Sequence, residues 1–190
     1  RLSLGLMGVW ERKTWLANEP RLVDFFDLKA VIENLLSALH LGEVRFVPAK
    51  DPSFHPGRCA QIMLGERSLG VMGEVHPLVR QAYDLETEAV YAAELDADLL
   101  IELGQGGFTH RPLSSFPAMS EDIAVIVDEG LPAAELEAAI RQSGGKLLTG
   151  LRLFDVYRDA KIGAGKKSMA YELTYQAFDR TLTVKDAETV

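Results

Sequence analysis

Residues Lys146 to Asp186 read KLLTGLRLFDVYRDAKIGAGKKSMAYELTYQAFDRTLTVKD, and the rest of the chain is interpreted outward from them. Leu147 to Tyr157 and Ser168 to Ala177 are rich in aromatic and large aliphatic residues, as a pleated, half-buried surface prefers. The two runs are expected to pair. Their connection, Arg158 to Lys167, holds Gly163, Gly165 and the doublet Lys166-Lys167, so it reads as an exposed basic hairpin loop. From Lys146 to Lys167 six Lys or Arg stand against two Asp, a local balance of +4 in a chain of net charge −8. A basic loop beside a sheet carrying Phe154, Tyr157, Tyr171 and Tyr175 can offer phosphate contacts together with rings for base stacking. The same residues also suit a solvated loop over an ordinary core.

Around this stretch the order of elements is β, α, β, β, α. Asp122 to Val127 reads as a strand, and Pro132 to Gln142 as a helix with Pro132 in its first turn, closing at Gly144-Gly145. Thr183 and Asp186 resemble a capping box opening a second helix. One more strand would complete a ferredoxin-like βαββαβ unit. A boundary is expected at Gly104-Gln105-Gly106-Gly107, followed by an extended arm from Phe108 to Pro117.

The preceding residues form a second pattern. Arg1 to Val9 reads as a strand, and Asp24 to His40 as a helix with apolar positions Leu28, Val31, Ile32, Leu35, Leu36 and Leu39, stopped at Gly42. That apolar face is core or subunit interface. Short strands follow at Val44 to Val47, Ala60 to Leu64, Ser68 to Met72 and Ala89 to Leu95, with short helices at Pro77 and over Asp96 to Leu100. Strands with inserted helices and no regular βαβ alternation indicate an α+β, largely antiparallel fold.

Composition bounds the possibilities. The 190 residues are 47% hydrophobic and 25% charged, ordinary globular material for one large or two small domains. Cys59, alone, forms no internal disulfide, which fits a reducing compartment. No run of 18 apolar residues suggests a membrane span, and no leader pattern is visible, so a cytoplasmic setting is expected. Residues 1 to 110 carry 10 basic and 16 acidic side chains, unlike a simple polyanion binder. The chain opens without Met on a strand-like run and stops a few residues into a helix, so both ends read as cuts in a longer protein.

His55, His76 and His110 raise a metal or acid–base possibility, with Glu74 and His76 on one strand face and His55 as a third ligand. No close pair has helical or knuckle spacing, and His55 and His76 each precede proline, so structural turn roles are expected and no metal site is assigned. Cys59 reads as a buried small hydrophobe. Gly104 to Gly107 lacks the following Lys-Ser or Lys-Thr of a phosphate loop.

Phe116-Pro117, Asp122-Ile123-Ala124, Leu153-Phe154-Asp155-Val156-Tyr157, Gly165-Lys166-Lys167-Ser168 and Asp179-Arg180-Thr181-Leu182-Thr183 together carry a resemblance. In this order they resemble the ferredoxin-fold anticodon-binding domain that ends the β subunit of bacterial phenylalanyl-tRNA synthetase. Val23-Asp24-Phe25-Phe26-Asp27-Leu28-Lys29, His55-Pro56-Gly57-Arg58 and Gly73-Glu74-Val75-His76-Pro77 are similar to the class II catalytic-like module preceding it. The resemblance implies a class II synthetase-like antiparallel sheet module over 1–107, N-terminally truncated and without catalytic residues, then a C-terminally truncated ferredoxin-like domain over 108–190. It also implies partners, tRNA(Phe) and an α subunit in an α2β2 assembly. ATP and Mg2+ would serve the complete enzyme, with no cofactor in this piece.

By the same resemblance, Arg152, Asp155, Tyr157, Arg158, Lys166, Lys167 and Arg180 are the expected tRNA contacts. Arg and Lys would neutralise phosphates, Tyr157 or Phe154 would stack, and Asp155 would accept from a base edge. Strict alternation separates Phe154 from Tyr157 unless a bulge intervenes, and Asp155 with Tyr157 is the favoured exposed pair. Ser120-Glu121 replace basic residues common in the family, shifting the load to the later loop. The rival reading is a ferredoxin-like regulatory module binding a small metabolite or a protein. An independent hydrolase using Glu74 and His76 lacks a nucleophile or metal set to accompany them.

Overall fold

A computed structural model describes residues 1–85, 89–104, 113–183 and 186. The fold is α+β with antiparallel sheets, and the chain divides into two units, residues 1–109 and 110–190.

In the first unit β1 (Leu2–Met7), β4 (Val44–Pro48), β5 (Phe54–Leu64), β6 (Arg67–Val75) and β7 (Val90–Leu95) form one antiparallel sheet in the order β1-β7-β6-β5-β4. The strand expected over Arg1 to Val9 breaks at Gly8, whose φ of 86° turns the chain into β2 (Val9–Glu11), paired with β3 (Arg21–Leu22) in a separate ribbon. Helix α1 (Phe25–Ala38) covers one sheet face. Its start is a complete capping box, in which the Asp24 carboxylate accepts from the amides of Phe26 and Asp27 and Asp27 accepts back from the Asp24 amide. Leu28, Ile32 and Leu36 lie at helical spacing and are at most 2% exposed, packed on Ile62, Leu69, Met72 and Leu95. Burying each such side chain contributes roughly 1.5–3 kcal/mol.

The helix does not stop at Gly42 as expected. His40 takes the left-handed conformation at φ 54°, and the amides of His40 and Leu41 return to the carbonyls of Ser37 and Leu36. Two otherwise orphaned carbonyls are thereby satisfied, which is what glycine usually makes easy. Helices α2 (Pro77–Ala82) and α3 (Ala97–Leu103) begin as read, capped by His76 and Asp96.

Two strands run longer than their apolar stretches suggested. Strand β5 takes in His55 to Arg58, and β6 continues through Glu74, placing that carboxylate inside the sheet rather than after it. Phe54 pairs with Val75 and Cys59 with Gly73, so four residues of β5 bow out opposite one of β6. Gly73 is required there: a Cβ at this position would lie 2.6 Å from the Arg58 carbonyl oxygen.

The second unit holds β8 (Met119–Asp128), α4 (Ala133–Gly144), β9 (Leu148–Tyr157) and β10 (Lys166–Tyr175). Its antiparallel sheet runs β8-β10-β9, the order that the first three strands of a ferredoxin-like unit adopt. Pro132 is the N-cap of α4, one residue before the expected first turn, and Gly145 at φ 56° ends the helix. Met169, Tyr171, Leu173 and Tyr175 alternate into the core, joined by Leu136 and Ile140 of α4. The arm is described from Leu113 onward. Ser114 donates to the Ala177 carbonyl at 2.7 Å and Gln176 to that of Phe116 at 2.8 Å, fastening Ser114 to Phe116 beside the end of β10. Half the expected reciprocal cap at Thr183 forms, its amide donating to the Asp186 carboxylate at 2.8 Å. The helix beyond it, Gln105 to Gly107, Phe108 to Pro112 and His110 lie outside the described residues.

Candidate nucleic-acid interface

One face of the second sheet is closed by the core. The other is formed by the alternate residues, and strand register assigns its rows. Ile126, Ser168 and Tyr157 stand side by side across β8, β10 and β9; Ala124, Ala170 and Asp155 form the next row, and Asp122, Glu172 and Arg152 the third. Small side chains thus make a low floor in the middle, with Ile126 about half exposed on one side and Tyr157 about half exposed on the other.

A bulge sets the far wall. Tyr171 pairs with Leu153 but Ala170 pairs with Asp155, leaving Phe154 as an extra residue. Leu153 and Val156 both reach the core, while Phe154, Asp155 and Tyr157 are all exposed. The alternation that would have separated the two aromatics is broken at the one step where it matters. The Tyr157 hydroxyl donates to the Asp159 carboxylate. That bond raises the Tyr157 hydroxyl above its ordinary value, and Asp159, which also accepts from the Lys161 amide, is held below the usual carboxylate range.

The expected basic loop is different from its sequence reading. A 3-10 turn at Ala160–Ile162 fills its first half, and Lys166 and Lys167 belong to β10. Lys167 is not an exposed loop cation: it is only 9% exposed, and its ammonium donates to the carbonyls of Glu129 at 2.9 Å and Leu131 at 2.7 Å. Period two explains this, because Lys167 shares the inward parity of Met169 and Tyr171.

The other expected cations all meet carboxylates. Arg158 holds Glu129 at 3.0 Å, Arg152 holds Glu172 at 2.8 Å, Lys166 lies 3.7 Å from Asp128, and Arg180 lies 3.3 Å from Asp179 and 3.6 Å from Asp186. With Asp128, Glu129 and Glu172 counted in, the balance around Lys146 to Lys167 falls from +4 to +1. Register therefore brings Arg152, Asp155 and Tyr157 onto one face, with Arg158 and Lys166 at its end. Two contributors escaped the sequence reading. Ser168 is the floor residue opposite Tyr157, and Lys161 is exposed in the 3-10 turn without a carboxylate partner among the described residues. The acidic run Ser120-Glu121-Asp122 offers no cation at the other end.

In the first unit the singled-out histidines serve the backbone. His55 Nδ1 accepts from the Gly57 amide at 3.1 Å, and His76 Nδ1 accepts from the Leu78 amide at 3.2 Å, capping α2. Glu74, 4% exposed, pairs with Arg58. The His55 to Arg58 and Gly73 to Pro77 segments therefore meet: the glycine admits the Arg58 backbone, the glutamate takes its guanidinium, and the His76 amide donates to the Ser53 carbonyl at 2.8 Å. Glu74 and His76 are divided between a strand and a helix cap, so they do not share one strand face. Among the described residues no three His, Cys, Asp or Glu side chains gather to hold a metal ion. Burial pushes the Cys59 thiol up, away from reactivity. No helix among the described residues is long and apolar enough to cross a membrane.

Comparison with known proteins bears on both units. Residues 1–97 match the phenylalanyl tRNA synthetase beta chain CLM domain, and residues 114–190 match the ferredoxin-fold anticodon binding domain. The chain is 42% identical, over its whole length, to the phenylalanine–tRNA ligase beta subunit of Symbiobacterium thermophilum, of which it covers 21%. It is 43% identical over 88% of its length to that of Clostridium acetobutylicum, covering 21%, and 38% identical over 98% of its length to that of Shouchella clausii, covering 23%. It thus spans about a fifth of these relatives. With both units matched in this order, the chain is a member of the phenylalanyl-tRNA synthetase β-chain family, its CLM domain followed by a ferredoxin-fold anticodon-binding domain.

Proposed function

We propose that the chain serves the β subunit of phenylalanine–tRNA ligase as a non-catalytic platform, with residues 1–107 supporting subunit assembly and residues 108–190 gripping the anticodon of tRNA(Phe). The observation that carries the anticodon role is the open sheet face. An unpaired base fits over the Ser168–Ala170 floor, stacked on Tyr157, with the Asp155 carboxylate placed to accept hydrogen bonds from its edge. Arg152 in β9, Arg158 just after it and Lys166 at the start of β10 border this face, and together with Arg180, which follows β10, they are the phosphate contacts. Lys167 acts from below, through the backbone it holds.

In this reading the ATP, Mg2+ and phenylalanine chemistry belongs to an α subunit in an α2β2 enzyme working in the cytoplasm, and this chain contributes affinity and register for the tRNA. The test is binding of the complete enzyme to a phenylalanine anticodon stem-loop and to one with a scrambled anticodon, across a salt series. Preference for the correct loop that disappears in Asp155→Ala and Tyr157→Ala supports the role. Equal binding to both loops by the unaltered enzyme refutes it.

A further inference from the structure

At the proposed RNA face Arg152, Arg158 and Lys166 each meet a carboxylate within the fold, and two of those carboxylates stand on anchored backbone. Glu129 follows β8 and is fixed through its backbone at both ends: its amide donates to the Gly165 carbonyl at 2.8 Å, and its own carbonyl accepts from the buried Lys167 ammonium at 2.9 Å. Its side chain accepts from Arg158 at both carboxylate oxygens, 3.0 and 3.2 Å from Nε. Glu172 is likewise fixed in the central strand, with its carboxylate 2.8 Å from Arg152. These pairs are half exposed, and such pairs add little to stability.

Their electrostatic effect on a polyanion is larger. A phosphate that takes Arg158 or Arg152 leaves behind a carboxylate whose backbone is anchored beside the same cation, and that carboxylate repels it. Each phosphate contact then brings less net attraction than a bare cation would. Contacts to a base at Asp155, Tyr157 and Ser168 suffer no such discount, and they are the contacts that carry sequence information. We propose that Glu129 and Glu172 are specificity-determining positioning residues: they occupy Arg158 and Arg152 as internal phosphate substitutes, so that RNA lacking the correct base is held weakly. The proposal rests on the reading of this face as an RNA interface.

The experiment compares the complete enzyme with its Glu129→Gln, Glu172→Gln and doubly substituted forms, binding phenylalanine and scrambled anticodon stem-loops across a salt series. Both loops bind the double variant more tightly, the scrambled loop gains more, and the ratio between them falls at least about threefold. The dependence of log affinity on log salt steepens, by up to about 0.7 for each cation freed to meet a phosphate. Glu129→Asp keeps the charge and retains the original ratio. An unchanged ratio and salt slope in all three Gln forms, or an equal gain for both loops, overturns the proposal. The single variants keep the test intact should the double one fold poorly. An unaltered enzyme that does not prefer the correct loop defeats the underlying anticodon reading, a result distinct from a preference that the Gln forms leave untouched.

Discussion

The Lys167 ammonium lies beneath the turn that follows β8 and donates to the carbonyl oxygen of Glu129 at 2.9 Å, joining β10 to that turn from inside the fold. A second bond reaches Leu131 at 2.7 Å. Lys167→Ala leaves two carbonyls to find new partners, at a cost of roughly 1.5–3 kcal/mol for charge-assisted bonds. Lys166→Ala loses only an exposed contact and changes stability by less than about 0.5 kcal/mol. Urea unfolding of the two variants is expected to separate them clearly.

The same pair separates on RNA. Lys161→Ala and Lys166→Ala are each expected to flatten the salt dependence of tRNA binding by up to about 0.7 log units per lost phosphate contact. Lys167→Ala is not, since its charge is already committed to the backbone. A salt slope reduced by Lys167→Ala at unchanged stability would contradict this assignment.

Tyr157→Ala removes the ring opposite Ser168 and is expected to weaken binding of the phenylalanine anticodon stem-loop by about 1–3 kcal/mol. Tyr157→Phe keeps the stacking surface but releases Asp159, so a much smaller loss follows. Ser168→Leu raises the floor and is expected to exclude the base while leaving the hairpin folded. Fluorescence titration with labelled stem-loops ranks the three.

In the first unit, Gly73→Ala places a methyl 2.6 Å from the Arg58 carbonyl, a distance real Cβ atoms do not adopt. The outward bow of β5 must shift, at a cost of about 1–3 kcal/mol. Glycine at 57, with nothing closer than 3.9 Å to an added Cβ, accepts alanine with less than about 0.5 kcal/mol lost. Thermal unfolding of both variants tests the difference.

Asp27 closes the cap of α1 and also accepts from both terminal nitrogens of Arg21 at 2.8 Å, and the guanidinium holds its carboxyl below the ordinary value of 3.8. A carboxylate whose folded pKa is depressed binds fewer protons folded than unfolded. Its contribution is present above about pH 4 and is lost as pH falls through the folded value. Asp27→Asn should therefore lower stability at neutral pH and reduce the acid-induced loss over that lower range, as measured by unfolding at stepped pH.

Much of this fold was legible because period and punctuation agreed. The apolar spacing from Leu28 to Leu36 and the acid at Asp24 specify α1 without tertiary help, and the alternation in Met169 to Tyr175 specifies β10. The hairpin's glycines suggest a loop reaching Lys167, although the parity of Met169 and Tyr171 assigns that lysine to the inside. Helix α1's stop was hidden for a different reason: His40 takes a conformation that sequence rules reserve for glycine. The partners of Arg152, Arg158 and Lys166 come from other strands and turns, 20 to 38 residues away, so a local charge count could not see them. Strand alternation suggests Asp155 and Tyr157 as an exposed pair, whereas their row-mates Ser168 and Ala170 need the strand register.

The bulge in β9 also has a consequence for chain length. Because Phe154 is the extra residue, removing it would restore strict alternation through Leu153, Asp155, Val156 and Tyr157 without turning any of them to the opposite face. Tyr157 would remain across from Ser168 and Asp155 across from Ala170. A one-residue deletion at this point is therefore expected to be gentler than one at a position of β9 that is paired in register, erasing a single aromatic wall while sparing the frame in which the other positions are read.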